Sequence, residues 1–250
     1  MAERLKLAFV GCGAIARYHL DGINEHAPRI QVTATVDVDA EKAQAYATET
    51  GGTAFTSLEE ALEKGDFDAV DLMLPHDLHE QAAIQCFEAG KHVLLEKPMS
   101  LDLDSCDRIL AAARSTGTVF MMAENAQYWP EIVKAAEVIE SGAIGDIITQ
   151  RVYWNGGGIW YRGRQAEQSE MAFQVNNWYH FNWVCGDQIC EQHIHNIDVA
   201  CWIKGAYPVE CNGMGGWGQR MGGDRSNDSI KAVPGSQCRH TNENKGIGRP

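Results

Sequence analysis

Positive charge is scarce in this chain. Its 21 lysines and arginines are outnumbered by 34 aspartates and glutamates, for a formal net charge of −13. A protein that grips nucleic acid would show a basic face, so that class is excluded. Long apolar runs are missing too, and none reaches the roughly 20 residues that span a bilayer. The N-terminus, Met-Ala-Glu-Arg-Leu-Lys, enters an apolar run at once, with no signal peptide ahead of it. Cysteine is not scarce, but the eight copies are scattered through apolar or helical stretches. Without an export signal they read as reduced thiols of a cytoplasmic protein. The 250 residues suffice for one large domain or two smaller ones with real cores. These features suit a soluble enzyme of small molecules that engages neither nucleic acid nor membrane.

The chain is organised around residues 5–16. Leu5 to Val10 is short and mostly apolar, as a strand buried on both faces of a parallel sheet would be. Gly11, Gly13 and Ala16 follow at the spacing G-x-G-x-x-A, and residues 15–23 read as a helix. Gly11 makes the tight turn out of the strand. Gly13 lets the backbone approach a pyrophosphate with no Cβ in the way, and Ala16 lets the helix pack close to the sheet. The phosphates would sit on free N–H groups at the helix N-terminus. Ala14 and Ile15 complete the turn into that helix and join the cofactor-binding set. An acid, Asp37, follows about 20 residues after Ala16, as a dinucleotide fingerprint requires. Asp37 would accept hydrogen bonds from the adenosine ribose hydroxyls. A carboxylate there repels a 2′-phosphate, and Val38 brings no cation, so NAD is preferred over NADP.

Further strands are expected at 30–36, 69–74, 92–95 and 119–123, alternating with helices at 40–48, 58–64, 78–89 and 103–115. Ser57-Leu58-Glu59-Glu60 is a capping box for the second of these helices. Such alternation implies right-handed crossovers and a doubly wound parallel sheet ending near Glu124. A helix is expected at 130–141, closed by Gly142, then a strand at 147–154 that opens something new. All seven tryptophans lie from Trp129 onward. Another helix is expected at 192–203 and a strand at 208–214. Residues 224–250 are rich in Gly, Ser, Asn and Lys, lack apolar periodicity and read as disordered. The expected organisation is therefore a dinucleotide domain over 1–124, a partial second domain over 125–222 and a disordered tail over 223–250.

Glu96-Lys97-Pro98 closes a late strand of the expected dinucleotide domain. Together with Gly11, Gly13, Ala16, Asp37 and the run Ala89-Gly90-Lys91-His92-Val93, it resembles the Gfo/Idh/MocA family of oxidoreductases. Residues 139–145 resemble that family's linker into its second domain, and 186–198 resemble its active-site helix. The resemblance spans roughly residues 5–220. It implies an α/β fold: a Rossmann domain followed by an α+β domain with a mostly antiparallel sheet, which carries the substrate site and the homo-oligomer interface. Two departures stand out. Many relatives have Asp-x3-His on the active-site helix, where this chain has Glu191 and His195. The family's second domain also runs on for another hundred residues or so, so this chain reads as C-terminally truncated, its second domain incomplete.

Oxidising a secondary alcohol by hydride transfer needs a base for the hydroxyl proton and a fixed nicotinamide face. Lys97, at a strand end facing the expected cofactor cleft, is one candidate, the bland alternative being a surface lysine. Pro98 would fix the local backbone, and Glu96 could orient the lysine or the cofactor ribose. His195 is the other candidate. Glu191, His195 and Asp198 are spaced i, i+4, i+7, on one face of a helix. The resemblance implies that His195 binds substrate or acts as acid/base with Lys97; the alternative is a structural Glu–His–Asp stripe. Which of the two takes the proton is left open. By resemblance Pro75, His76 and His79 lie along the cofactor cleft, with solvated loop histidines as the alternative. Trp160, Tyr161 and Arg162, flanked by Gly156-Gly157-Gly158 and Gly163 in an expected mobile loop, are the candidate substrate contacts. Aromatics are more often core. Cys185, Cys190, His193 and His195 lack the separated ligand pairs of a zinc site, so no metal is expected.

Three functions are compatible with these residues. The first is an NAD(P)-dependent oxidoreductase that moves a hydride between a nicotinamide and a hydroxyl carbon of a sugar, polyol or derivative. The second is a non-catalytic nucleotide-binding protein or an inactive truncated fragment. The third, an NAD-dependent glycoside hydrolase, has no specific support. Lys97, Glu191 and His195 favour the first over a sensor.

Overall fold

The first strand, β1 (Leu5–Val10), sends alternate side chains to opposite faces. Ala8 and Val10 join one buried cluster, with Val36, Leu72, Phe87, Leu95 and Ile109. Leu7 and Phe9 join another, with Ala16, Leu20, Val32 and Met73. A strand buried on both faces has no use for polar residues, which is why its buried part, Leu7 to Val10, is a continuous apolar run. Phe9 and Phe87 are fully buried, and each such side chain contributes about 1.5–3 kcal/mol by leaving water.

The computed structural model describes residues 4–155, 160–213 and 237–239. The chain divides into two compact units, Met1–Glu124 and Asn125–Pro250. In the first, β1 is followed by α1 (Ala14–His26), β2 (Ile30–Val36), α2 (Ala40–Thr50), β3 (Thr53–Phe55), α3 (Leu58–Lys64), β4 (Ala69–Leu72), α4 (His79–Glu88), β5 (His92–Leu95), α5 (Leu103–Thr116) and β6 (Phe120–Met122). The strands pair in parallel in the order β3-β2-β1-β4-β5-β6. The chain leaves β1 for one edge and returns to β4 for the other, so a crevice opens beyond the carboxyl ends of β1 and β4.

Local chemistry sets the helix ends. Asp39 caps α2 by accepting from Glu41 N and Lys42 N, and Gly51 closes it at φ 73°. Ser57 caps α3 by accepting from Glu60 N at 3.1 Å, as the capping box predicts. Asp102 caps α5 through Ser105 N. β3 went unrecognised in the sequence because three residues are too few to show alternation.

The second unit is mainly helical in its described part. It contains α6 (Pro130–Glu140), α7 (Glu170–Asn176), the single turn α8 (Asn182–Cys185), a π-helical turn over Ile189–His193 and α9 (Ile194–Lys204). β7 (Glu210–Asn212) pairs antiparallel with β8 (Gln237–Arg239). Two expectations need correction. Residues 147–154 form no strand: Ile148 is 90% exposed, and among the described residues no neighbouring strand supplies a ladder. A segment with strand composition stays irregular when its N–H and C=O groups have no partner strand. The segment is instead tethered by Gln150 to Ala200 O at 3.1 Å and by Lys204 to Ile147 O at 2.9 Å. In the tail expected to be disordered, residues 237–239 form β8; the rest of 223–250 lies outside the described residues.

Candidate functional site

The turn between β1 and α1 is shaped by what lies behind it. Gly11 has φ +97°, and a Cβ there would meet Met73 O at 2.3 Å. Only glycine fits where the turn presses on the end of β4. Gly13 is the opposite case: a Cβ would meet nothing within 4 Å. Gly13, Ala14 and Ile15 are exposed, whereas Ala16 is fully buried against the sheet. The N-cap residue of α1, Gly13, supplies no side-chain cap, so the exposed N-terminus of the helix keeps main-chain N–H groups to offer. That is a fit for a pyrophosphate.

Asp37 stands just beyond β2. One carboxylate oxygen accepts from Cys12 N at 2.8 Å and the other from Asp39 N at 2.9 Å. The acid thus ties the glycine turn to the end of β2 and keeps lone pairs for a ribose hydroxyl. Val38 is 94% exposed, and the Lys42 ammonium lies 3.3 Å from Asp39. The Cys12 thiol is pushed up to about 12, by burial first and by the Asp37 charge second. It stays protonated and packs toward Val36 O at 3.7 Å.

Pro75 is exposed, and His76 and His79 are buried. The alternative of solvated loop histidines therefore holds for neither. The His79 ring nitrogens lie 2.9 Å from Pro98 O and 2.9 Å from Leu74 O. Its ring fastens the turn after β5 to the turn after β4, with both nitrogens directed at main chain. Burial lowers the His79 pKa, and His76 adds to the effect; the two rings meet edge to face at 5.4 Å. Pro98 is buried and follows a cis peptide bond from the half-buried Lys97.

One residue escaped the sequence reading. His19, on α1, places Nδ1 2.7 Å from Asp71 and Nε2 2.9 Å from Glu96. Burial would lower its pKa, but the two carboxylate hydrogen bonds outweigh burial and raise it to about 10. Asp71 is 1% exposed, and burial raises its pKa against the influence of His19. An aspartate inside an otherwise apolar strand was the signal, since a buried carboxylate needs a partner.

In the second unit Glu191 is 1% exposed and His195 8% exposed. Glu191 lies in the π-helical turn and His195 in α9, so the expected single α-helix is interrupted between them. The His195 ring packs on Trp154 at 5.5 Å. Asp198 is half-buried and accepts from Gln127 Nε2 at 2.6 Å. Trp160, Tyr161 and Arg162 are clasped, correcting the expected mobile loop for these three. The fully buried Asn177 accepts from Arg162 N at 2.7 Å and donates to Arg162 O at 3.0 Å and to Phe173 O at 3.2 Å. Arg162 lies over the Trp160 ring at 4.4 Å, and Tyr161 packs edge-on against Phe173 and His180. Gly156 to Gly158 lie outside the described residues. Cys185 is buried against Tyr179 O at 3.5 Å, and burial pushes its thiol up to about 11.

The sheet order, the open N-terminus of α1 and the acid after β2 define a dinucleotide-binding Rossmann domain. Residues 5–124 match the family described as "Oxidoreductase family, NAD-binding Rossmann fold". Those residues, just under half of the chain, are similar to that family's NAD-binding domain. The chain is 26% identical over 211 residues to inositol 2-dehydrogenase of Corynebacterium glutamicum, covering 84% of this chain and 57% of the relative. It is 33% identical over 145 residues to 1,5-anhydro-D-fructose reductase of Ensifer adhaerens, covering 58% of this chain and 43% of the relative. Among solved structures it resembles the WlbA dehydrogenase of Bordetella pertussis in complex with NADH and UDP-GlcNAcA. The TM-score is 0.67 at 25% identity, over 84% of this chain and 57% of that one. The chain thus spans little more than half the length of these two dehydrogenases.

Proposed function

We propose that the protein is an NAD-dependent oxidoreductase that transfers a hydride between the nicotinamide and a hydroxyl-bearing carbon of a sugar, polyol or derivative. The observation that carries the reading is Asp37, which bridges the glycine turn and the end of β2 beside an uncapped helix N-terminus. Gly13, Ala14 and Ile15 would take the pyrophosphate on main-chain N–H groups, and Asp37 the adenosine ribose. Charge repulsion at Asp37 disfavours a 2′-phosphate, and the one nearby cation on α2, Lys42, is paired with Asp39. Glu96, Lys97 and Pro98, with Pro75 and His76, would line the nicotinamide end.

When bound, the nicotinamide accepts or returns the hydride. The chain's own residues must handle the hydroxyl proton. Lys97 in its amine form can take that proton and as an ammonium can give it back. His195, with Glu191 as the buried carboxylate of the same segment, is assigned the same class of work on the substrate side. Trp160, Tyr161, Arg162 and Asp198 are the proposed substrate contacts. The relatives named as inositol dehydrogenase and anhydrofructose reductase support a polyhydroxylated substrate. Cys12, Cys86, Cys106, Cys185, Cys190, Cys201 and Cys211 are free, which supports a reducing, cytoplasmic setting. No helix among the described residues is long and apolar enough to cross a membrane. Exposed Trp183, Ile189 and Trp202 on the second unit support assembly with a second copy.

The test is titration of the purified protein with NADH and NADPH, followed by a turnover screen over inositols, sugars and their nucleotide-linked derivatives. Binding of NADH is expected, and oxidation of at least one polyol when NAD⁺ is supplied as the hydride acceptor. Absence of NADH binding would sink the reading.

A further inference from the structure

His19, Asp71 and Glu96 come from three different elements, α1, β4 and the end of β5. Asp71 and Glu96 are the charged groups that meet the ring. Asp71 is 1% exposed, and the His19 and Glu96 side chains are 19% and 17% exposed. A carboxylate only accepts, so two carboxylates flanking one imidazole are both satisfied only by a ring that carries a proton on each nitrogen. Glu96 does not stop at the ring: its second oxygen accepts from Lys97 N at 3.1 Å. A continuous chain therefore runs from the buried Asp71 through His19 and Glu96 to the main chain of Lys97. Its helix end begins one turn after Ile15, where α1 opens toward the proposed pyrophosphate site.

On that geometry we propose that His19 is a positioning residue: anchored on Asp71, its ring fixes the Glu96 carboxylate and, through it, the turn that presents Lys97. This rests on the dehydrogenase reading for the use to which Lys97 is put. The arrangement also links the helix that would receive the pyrophosphate to the turn that would meet the nicotinamide. Loss of His19 would free Glu96 to swing while leaving the glycine turn and Asp37 untouched. Asp71 keeps one buried oxygen without a hydrogen-bond partner, so its hold on the network runs through its other oxygen and the His19 ring.

The experiment uses the full chain with two readouts. The first is the ¹⁵N signal of the His19 ring, compared in the wild type and Glu96→Gln. At pH 8 both ring nitrogens of the wild type are expected to give protonated signals, and the Glu96→Gln ring to titrate at lower pH. A wild-type ring that titrates near the ordinary 6.5, or a titration unmoved by Glu96→Gln, would overturn the proposal. The second readout is NADH affinity in a cycle of His19→Gln, Glu96→Gln and the double variant. Each single change is expected to weaken NADH by about threefold to tenfold, and the double variant to be no weaker than the worse single one. Full additivity would show that His19 does not act through Glu96. If the wild type binds no NADH, the dehydrogenase reading has failed, and the ring signal alone decides the proposal. Should His19→Gln fail to fold, the titrations of the wild type and Glu96→Gln still decide it.

Discussion

The Asp37 carboxylate accepts a 2.8 Å hydrogen bond from the main-chain N–H of Cys12. One side chain thus fastens the glycine turn to β2 and presents charge where an adenosine ribose would lie. The two roles separate in Asp37→Asn, which keeps an acceptor for Cys12 N but removes the charge. We predict that Asp37→Asn lowers the preference for NADH over NADPH by about tenfold, the size of a lost charge-assisted hydrogen bond. Parallel titrations with both cofactors check this. An unchanged ratio would show that Asp37 does not set the preference.

Lys97→Ala and His195→Ala are each expected to lower kcat by about 10²- to 10⁴-fold, the usual yield of a positioned acid or base. NADH affinity should stay within a few fold, since both residues are assigned to the substrate's chemistry rather than to the pyrophosphate. Steady-state kinetics on an identified polyol, beside binding titrations, distinguish the two effects. Near-normal kcat in either variant removes that residue from the proposed proton transfer.

Gly11→Ala should destabilise the first unit by about 1–3 kcal/mol, and by more if the turn cannot shift. The cause is double: the backbone sits at φ +97°, and the new Cβ would fall 2.3 Å from Met73 O. Gly13→Ala meets nothing within 4 Å and should leave the urea midpoint almost unchanged while weakening NADH. A Gly13→Ala protein as unstable as Gly11→Ala would contradict the division of labour between the two glycines.

Asn177→Leu should cost about 1–3 kcal/mol, because it leaves the buried main chain of Arg162 without its partners. The change should release Trp160 from under Arg162, seen as a shift in tryptophan emission at unchanged far-ultraviolet dichroism. Emission identical to the wild type would mean that α7 does not hold this segment.

The charged state of His19 carries a pH signature. Its folded pKa is raised to about 10, above the ordinary value near 6.5. The stability it contributes is therefore fully present below about 6.5 and is lost as pH rises toward 10. Asp71, also raised by burial, has the same sign at the acid end, since its charged form carries a cost that protonation removes. Urea midpoints should fall more steeply from pH 7 to 10 in the wild type than in Glu96→Gln. Parallel profiles would show that the raised pKa does not depend on Glu96.

Legibility in the sequence followed the range of the interactions. The strand–turn–helix from Leu5, the acid at Asp37 and the cap at Ser57 all act over a few residues or through a fixed motif. Their chemistry can be read in one dimension. His79 illustrates the opposite. Its motif places it near a cofactor cleft, whereas its ring nitrogens are directed at Leu74 O and Pro98 O, a bond pattern that no local spacing encodes. Residues 147–154 failed for a related reason: their composition suits a strand, but a strand exists only beside another one.

By itself, then, the sequence determined the parallel alternating domain, the open glycine turn and the residues offered for chemistry, because periodicity, glycine geometry and capping are local properties of the chain. Only the tertiary structure decided which of those residues act together. His19 meets Asp71 and Glu96 across 52 and 77 positions, and Asn177 meets Arg162 across 15. Such pairs form when burial withdraws water and leaves each polar group with whatever partner the fold has brought beside it.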